Sequence, residues 1–231
     1  MEILLLFAIA AGSYLLGGLN GAIIVSRLVY GDDVRKHGSG NAGLTNFYRT
    51  YGSRAILLLI LIDVLKTAVP VIVGGMLVSS TFTFASVEER VLVGRIFGGL
   101  FAMVGHAYPW LYHFKGGKGV LAGGTAALFM DMRVGLIVWG VFIVAVLLTK
   151  YVSLGSVLAG IALPISFLLL GANPWAVLLS ALCGLFLVFR HRENIIRLLR
   201  GQERKLSFGK KRQAALEQEQ QVEADEEDQP K

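Results

Sequence analysis

Seven apolar segments, set apart by short polar stretches, dominate this chain: residues 3–29, 55–78, 91–112, 119–130, 134–148, 153–170 and 174–189. A bilayer's hydrocarbon core takes about 20 apolar residues, and roughly 17 suffice. The first three segments exceed that length and the fifth, sixth and seventh approach it. The fourth, with 12 residues, is several ångströms short of a full crossing, with a re-entrant half-helix as the alternative, although the charge asymmetry favours counting it as a crossing. Only 16% of the 231 residues are charged, against about a quarter in a soluble domain. The expected fold is therefore an all-α integral membrane protein, a seven-helix transmembrane bundle with a short fourth helix.

Charge placement gives this bundle a direction. With seven crossings, one face collects Arg27, Arg35, Lys36, Arg49, Arg54, Lys115, Lys118, Lys150 and every base from Arg190 onward, 18 of the 22. The opposite face keeps Arg90, Arg95 and Arg133; Lys66 lies inside a span, and Arg95 is near enough to a span end to snorkel. The positive-inside rule then puts the N-terminus outside and the C-terminus in the cytoplasm. The first segment has no basic region before it and is too long for a signal-peptide core, so it reads as a retained span. The formal charge of +6 hides a division: residues 213–231 hold seven acids and one base, leaving 21 bases against 9 acids in residues 1–212. The expected organisation is a multi-pass membrane domain, 1–212, followed by an acidic disordered cytoplasmic tail, 213–231. The single cysteine, Cys183, excludes an intrachain disulfide.

Three polar stretches fall on the basic face. The first, Gly38 to Arg49, interleaves Gly38, Gly40 and Gly43 with Ser39, Asn41, Thr45 and Asn46. It contains the letters G-x-G-x-x-G, but follows a membrane span rather than a strand, so a dinucleotide fold is excluded. It reads either as a tight polar turn or as a loop offering backbone and side-chain donors to a phosphate. The second, Lys115-Gly116-Gly117-Lys118-Gly119, fails the Walker pattern at both ends. A topology anchor accounts for its lysines but not for three glycines around Lys118. If a helix starts after Gly119, its N-terminus favours an anion there. The third, His191 to Glu203, reads as a basic interfacial helix with a C-cap at Gly201. His191 and Asn194, on one face, exceed what such a helix needs and suit proton relay and orientation.

Asp63 and Lys66, three apart in the second segment, are expected to pair as a neutralised structural lock between helices. Pro70 and Pro164 are candidate kinks. His106 and His113 flank an aromatic stretch and read as interface or packing residues, with no second ligand at metal spacing. No metal site, nucleotide site or cofactor is expected, and no nucleic-acid partner.

SGNAGLTNFYR from Ser39, GGKGV from Gly116 and HRENIIRLLRGQE from His191, in that order between spans, resemble the bacterial acyl-phosphate:glycerol-3-phosphate acyltransferase family (PlsY). Asp63 with Lys66, and Gly105-His106 leading into Pro109, support the match, which covers roughly residues 4–206. Leu44 and Leu121-Ala122 depart from the family's usual residues beside the polar groups without removing them. The resemblance implies a bacterial inner-membrane enzyme with a cytoplasm-facing site. It implies transfer of a fatty acyl group from acyl phosphate to the sn-1 hydroxyl of glycerol 3-phosphate, giving lysophosphatidic acid and phosphate, beside membrane lipid. It further implies that Gly116, Gly117, Gly119 and Lys118 grip the acyl phosphate, while Ser39, Arg49, His191 and Asn194 hold glycerol 3-phosphate. Gly40, Asn41, Gly43, Thr45 and Asn46 complete the binding loop; Asp63, Lys66 and Glu203 are structural. No H-x-x-x-x-D follows any of the four histidines and no G-x-S-x-G occurs, so other acyltransferase chemistries lack their residues. The rival class is a small polytopic transporter or a scaffold holding anionic headgroups.

Overall fold

The computed structural model describes residues 1–206, and those residues form ten α-helices joined by loops and two short 3-10 turns. The acidic tail expected at 213–231, with the domain boundary before it, lies outside the described residues.

The first apolar segment does not make one helix. α1 (Glu2–Gly17) stops at Gly18, and α2 (Gly21–Tyr30) starts again behind Asn20. The Asn20 side chain accepts from the Ile23 N–H at 3.1 Å, while its amide donates to the Ala42 carbonyl at 3.1 Å. An N-cap in mid-segment thus breaks the helix and ties it to the first polar loop. α3 (Leu44–Tyr51) follows that loop.

Among the described helices, α4 (Ile56–Thr81) and α5 (Val87–Ala107) pack against each other most extensively. Gly74, Gly94 and Gly98 stand at their crossing, where a Cβ on Gly74 would meet the Gly94 carbonyl and one on Gly98 the Pro70 carbonyl. Without a hydrophobic drive between helices in lipid, such small residues supply close packing. α6 (Val120–Met130) has 11 residues, about 16 Å of helix against a core of about 30 Å. Arg95 gives an Nη1 hydrogen to the Met130 carbonyl at 3.2 Å and closes the end of α6. α7 (Met132–Thr149), α8 (Val152–Leu169) and α9 (Pro174–Arg190) complete the apolar set, and α10 (Arg192–Leu199) leaves α9 at a 58° bend. Pro70 and Pro164 lie inside α4 and α8.

Among the described residues, five spans are long and apolar enough to cross a membrane: α1 with α2, α4, α5 carried on to Tyr112, α7 and α8. α9 with α10 makes a sixth if the bent pair counts as one, and α6 is a shorter apolar helix. Leu57, Leu148 and Leu169 are about four-fifths exposed on the outside, as lipid-facing residues are. Two buried clusters hold the bundle together, one around Met103, Met130, Phe167 and Leu187, the other around Ile23, Val34, Phe47 and Leu59. This is a multi-pass membrane protein.

Candidate active site

The first glycine loop is folded by its own neighbours. Gly38 and Gly40 take φ of 58° and 69°, and a Cβ on Gly38 would strike the Asn46 side chain. Asn46 is the clamp: its amide donates to the Val34 and His37 carbonyls at 3.1 and 3.0 Å, and its oxygen accepts from the Ser39 N–H at 3.0 Å. Those bonds commit Asn46 to the loop rather than to a ligand. Beneath it, Asp33 accepts from Arg27 and Arg35, with nitrogen–oxygen distances of 2.7 to 2.9 Å. The Arg35 guanidinium is the chief reason the Asp33 carboxyl lies well below the ordinary carboxylate range. Arg35 also reaches the Tyr112 and Lys115 carbonyls at 2.9 and 3.1 Å, which joins the first loop to the second.

The second loop packs under the first. The Gly116 and Gly117 N–H groups donate to the Ala107 and His106 carbonyls, at 3.2 and 3.1 Å. A Cβ on Gly117 would collide with the His106 ring and the Ala42 carbonyl, so glycine is what lets the two loops meet. The Gly117 carbonyl accepts from Arg190 Nη2 at 3.0 Å, and the Arg190 guanidinium lies 4.6 Å from the Tyr108 ring centroid. Gly119, at φ 86°, turns the chain directly into α6.

His191 closes α9 and opens α10. Its Nδ1 lies 2.8 Å from the Leu187 carbonyl, so Nδ1–H donates there and Nε2 is left as the acceptor. Burial, followed by the charges of Lys118 and Arg190, pushes its pKa down to about 4. Lys118 donates to Asn194 Oδ1; Asn194 Nδ2 in turn donates to Glu203 at 2.7 Å, and Arg197 Nε holds the other Glu203 oxygen at 2.8 Å. Burial foremost, then Arg197, lowers the Lys118 pKa. For Glu203 burial alone would raise it, but the bonds from Asn194 and Arg197 outweigh that and hold the carboxylate ionised. Glu203 lies past α10, brought back by the turn at Gly201 (φ 67°) after Arg200 caps the helix.

Asp63 and Lys66 pair at 2.8 Å as expected, and each also reaches a second helix. Asp63 Oδ1 accepts from the Gly21 N–H at 3.0 Å, and Lys66 Nζ lies 2.7 Å from His106 Nδ1. The pair therefore fastens α4 to the start of α2 and to the end of α5.

All three polar stretches open on one cleft of about 720 Å³. Of the sequence-predicted site residues, every one lines it except Gly117 and Lys66, which lie just behind. Seven Lys and Arg side chains line it against three carboxylates, two of which are already paired, Asp63 with Lys66 and Glu203 with Arg197. Three helices begin there: α3 after Gly43, α6 after Gly119 and α10 after His191. Their leading N–H groups and dipoles add to the positive potential, and the arrangement suits a doubly charged phosphate. Sequence reasoning missed Arg190, Arg197 and His106 as cleft residues. Arg190 stands next to His191 and could have been found; His106 could not, because its neighbours come from distant segments. Beside the cleft, and sharing Val120, Trp139, Phe142 and Ser156 with it, lies an apolar cavity of about 20 Å³.

The comparisons with known proteins agree with this geometry. The glycerol-3-phosphate acyltransferase family model matches residues 7–201. A glycerol-3-phosphate acyltransferase of Finegoldia magna is 38% identical over 207 residues, covering 89% of this chain and 98% of that protein. One of Clostridioides difficile is 37% identical over 206 residues, again covering 89% and 98%. The crystal structure of PlsY (YgiH), an integral membrane glycerol 3-phosphate acyltransferase, in its glycerol 3-phosphate form superposes with a TM-score of 0.76 at 31% identity, covering 87% of this chain and 96% of that one. Its lysophosphatidic acid form gives 0.73 at 29% identity, covering 87% and 95%. With matches that span the bundle and all three cleft motifs, this chain belongs to the glycerol-3-phosphate acyltransferase family.

Proposed function

We propose that this protein transfers a fatty acyl group from acyl phosphate to the sn-1 hydroxyl of glycerol 3-phosphate, releasing lysophosphatidic acid and inorganic phosphate. The observation that carries this reading is the meeting of three distant polar stretches, with three helix N-termini, in one cationic cleft at the edge of an apolar bundle. Glycerol 3-phosphate and lysophosphatidic acid forms of a structural relative support the acceptor and the product.

The Gly116–Gly119 loop and Lys118 hold the acyl-phosphate head, and Ser39, Arg49, His191 and Asn194 hold glycerol 3-phosphate. The loop of Gly40, Asn41, Gly43 and Thr45 walls the acceptor side, and Asn46 keeps that loop in shape. The acceptor's hydroxyl oxygen attacks the acyl carbonyl carbon, the bond from that carbon to the phosphate oxygen breaks, and phosphate leaves. The proton passes to His191 Nε2 or to the departing phosphate. Acyl phosphate already carries a good leaving group, so the chain needs mainly to orient two anions and offset their charge. The acyl tail runs along apolar helix walls from Trp139 and Phe142, since the neighbouring cavity is too small to take it.

We further infer a bacterial inner-membrane protein with seven crossings, α6 included; charge placement supports the N-terminus outside and the cleft facing the cytoplasm.

Full-length protein in detergent, given a long-chain acyl phosphate and glycerol 3-phosphate, is expected to release phosphate only when both are present. Acyl-CoA and acyl carrier protein thioesters should give no lysophosphatidic acid. Product from a thioester at equal rate would overturn the donor assignment. No product from any donor would leave the headgroup-binding scaffold as the better reading.

A further inference from the structure

His106 is buried, yet it lines the cleft. Behind it, Lys66 Nζ stands 2.8 Å from Asp63 Oδ1 and 2.7 Å from His106 Nδ1. A lysine ion-paired to a carboxylate is an ammonium, which can only donate. Nδ1 must therefore accept, and the neutral ring carries its proton on Nε2. Among the described residues the ring's hydrogen bond is the one at Nδ1, and no acceptor meets the Nε2–H. Nε2 lies against the Gly117 backbone, close enough that a Cβ there would collide with it, at the edge of the cleft that His106 lines. Gly117 N–H and the His106 carbonyl are bonded to each other, so the ring and the loop keep a fixed relation.

We propose that His106 is a further substrate-contacting residue, whose Nε2–H donates to a phosphoryl oxygen held at the Gly116–Gly119 loop, with Lys66 and Asp63 setting its tautomer from behind. The inference rests on reading that loop as a phosphate holder. A neutral donor suits the position: it adds a hydrogen bond to the anion without placing another cation beside Lys66, and such charge-assisted bonds are the strong ones. It also gives Asp63 and Lys66 a chemical task beyond fastening helices. Lys66 is bonded to the ring's inner nitrogen, and Asp63 is paired with Lys66.

The test uses full-length protein in detergent and phosphate release with each substrate varied in turn. His106→Phe is expected to lower kcat/KM about 10- to 100-fold, the range for losing a hydrogen bond to a charged group. The loss should appear as a raised KM for the acyl phosphate with the glycerol 3-phosphate KM unchanged; the reverse split would assign the bonded oxygen to the acceptor's phosphate. His106→Gln, which keeps an N–H near Nε2, should recover to within a few-fold. His106→Phe with both KM values unchanged would overturn the proposal. Lys118→Ala separates it from the underlying reading. If Lys118→Ala raises the acyl-phosphate KM and His106→Phe does not, only the His106 role falls; if neither does, the loop is not a phosphate holder. Should His106→Phe fail to fold, ¹⁵N-histidine spectra of the unaltered chain decide. The peaks missing in His106→Gln should report an Nε2–H tautomer whose signal moves on addition of inorganic phosphate. An Nδ1–H tautomer, or no movement at saturating phosphate, rejects it.

Discussion

The two glycine loops of the cleft are braced in opposite ways. The first is held by residues a few positions along the chain, with Asn46 alone tying Val34, His37 and Ser39. The second adds long ties to its short ones: besides the Gly116 and Gly117 bonds to Ala107 and His106, Arg190, 73 residues on, meets the Gly117 carbonyl, and Asn194, 76 residues on, meets Lys118. A loop braced mainly by its neighbours depends less on how the helices around it pack, although Asn20 at the start of α2 still holds its Ala42 carbonyl. A loop braced across the bundle has its geometry set by how α9 and α10 pack, so its donors move when that packing moves. The acceptor side is thus preformed by sequence neighbours, and the donor side is assembled by the fold.

The largest effects should come from removing one charge on each side. Lys118→Ala and Arg49→Ala are each expected to cut kcat/KM about 100- to 1000-fold, the range for losing a group aimed at developing charge. The division of labour predicts different signatures: Lys118→Ala in the acyl-phosphate KM, Arg49→Ala in the glycerol-3-phosphate KM. Steady-state kinetics with each substrate varied would expose identical defects, and identical defects would break the comparison.

Bracing itself can be tested at smaller cost to activity. Asn46→Ala removes three loop bonds, about 1–3 kcal/mol for the groups left unsatisfied, and the damage should stay in the glycerol-3-phosphate KM. Gly117→Ala forces a Cβ into the His106 ring and the Ala42 carbonyl, an overpacking of about 1–3 kcal/mol. Because Ala42 belongs to the first loop and Gly117 to the second, its KM values for both substrates should rise. A Gly117→Ala defect confined to one substrate would show that the loops move independently.

This asymmetry also explains what could be read without coordinates. Gly38 to Asn46 declares itself because its turn glycines, its clamp and its helix start lie within a dozen residues. Lys118, His191 and Asn194 were legible as motifs, but the bond from Lys118 to Asn194 joins segments that no spacing rule connects. Asp63 with Lys66 was visible as a helical i,i+3 pair, whereas their reach to Gly21 and His106 depends on three helices meeting. Hydropathy gave the apolar segments but not the break at Asn20, where one amide in an oily run has a cap to make and a distant carbonyl to hold. Hydropathy also treats His106 as one more residue at a span end. Only packing turns it toward the cleft.

The smallest effect belongs to His191, where both sides of the cleft meet a titratable group. Its pKa, about 4, lies below the ordinary histidine value of 6.5 because burial outweighs the bond to Leu187, with Lys118 and Arg190 adding to the fall. As pH drops from about 6.5 to about 4, the unfolded chain takes up a proton that the folded site refuses, so His191 makes folding less favourable across that window and has no such effect above it. The ring is therefore neutral where the enzyme works, and only about a tenth of it is protonated at pH 5. If Nε2 receives the acceptor's proton, kcat/KM should change less than about twofold between pH 5 and 8 on this group's account. The acid inflexion should fall near pH 4. His191→Gln should remove that inflexion while leaving both KM values within a few-fold. An unchanged profile in His191→Gln assigns the proton to the departing phosphate. An inflexion near 6.5 that His191→Gln abolishes would mean the ring is wetter than its surroundings allow, and that α10 does not hold it against Lys118 in the working enzyme.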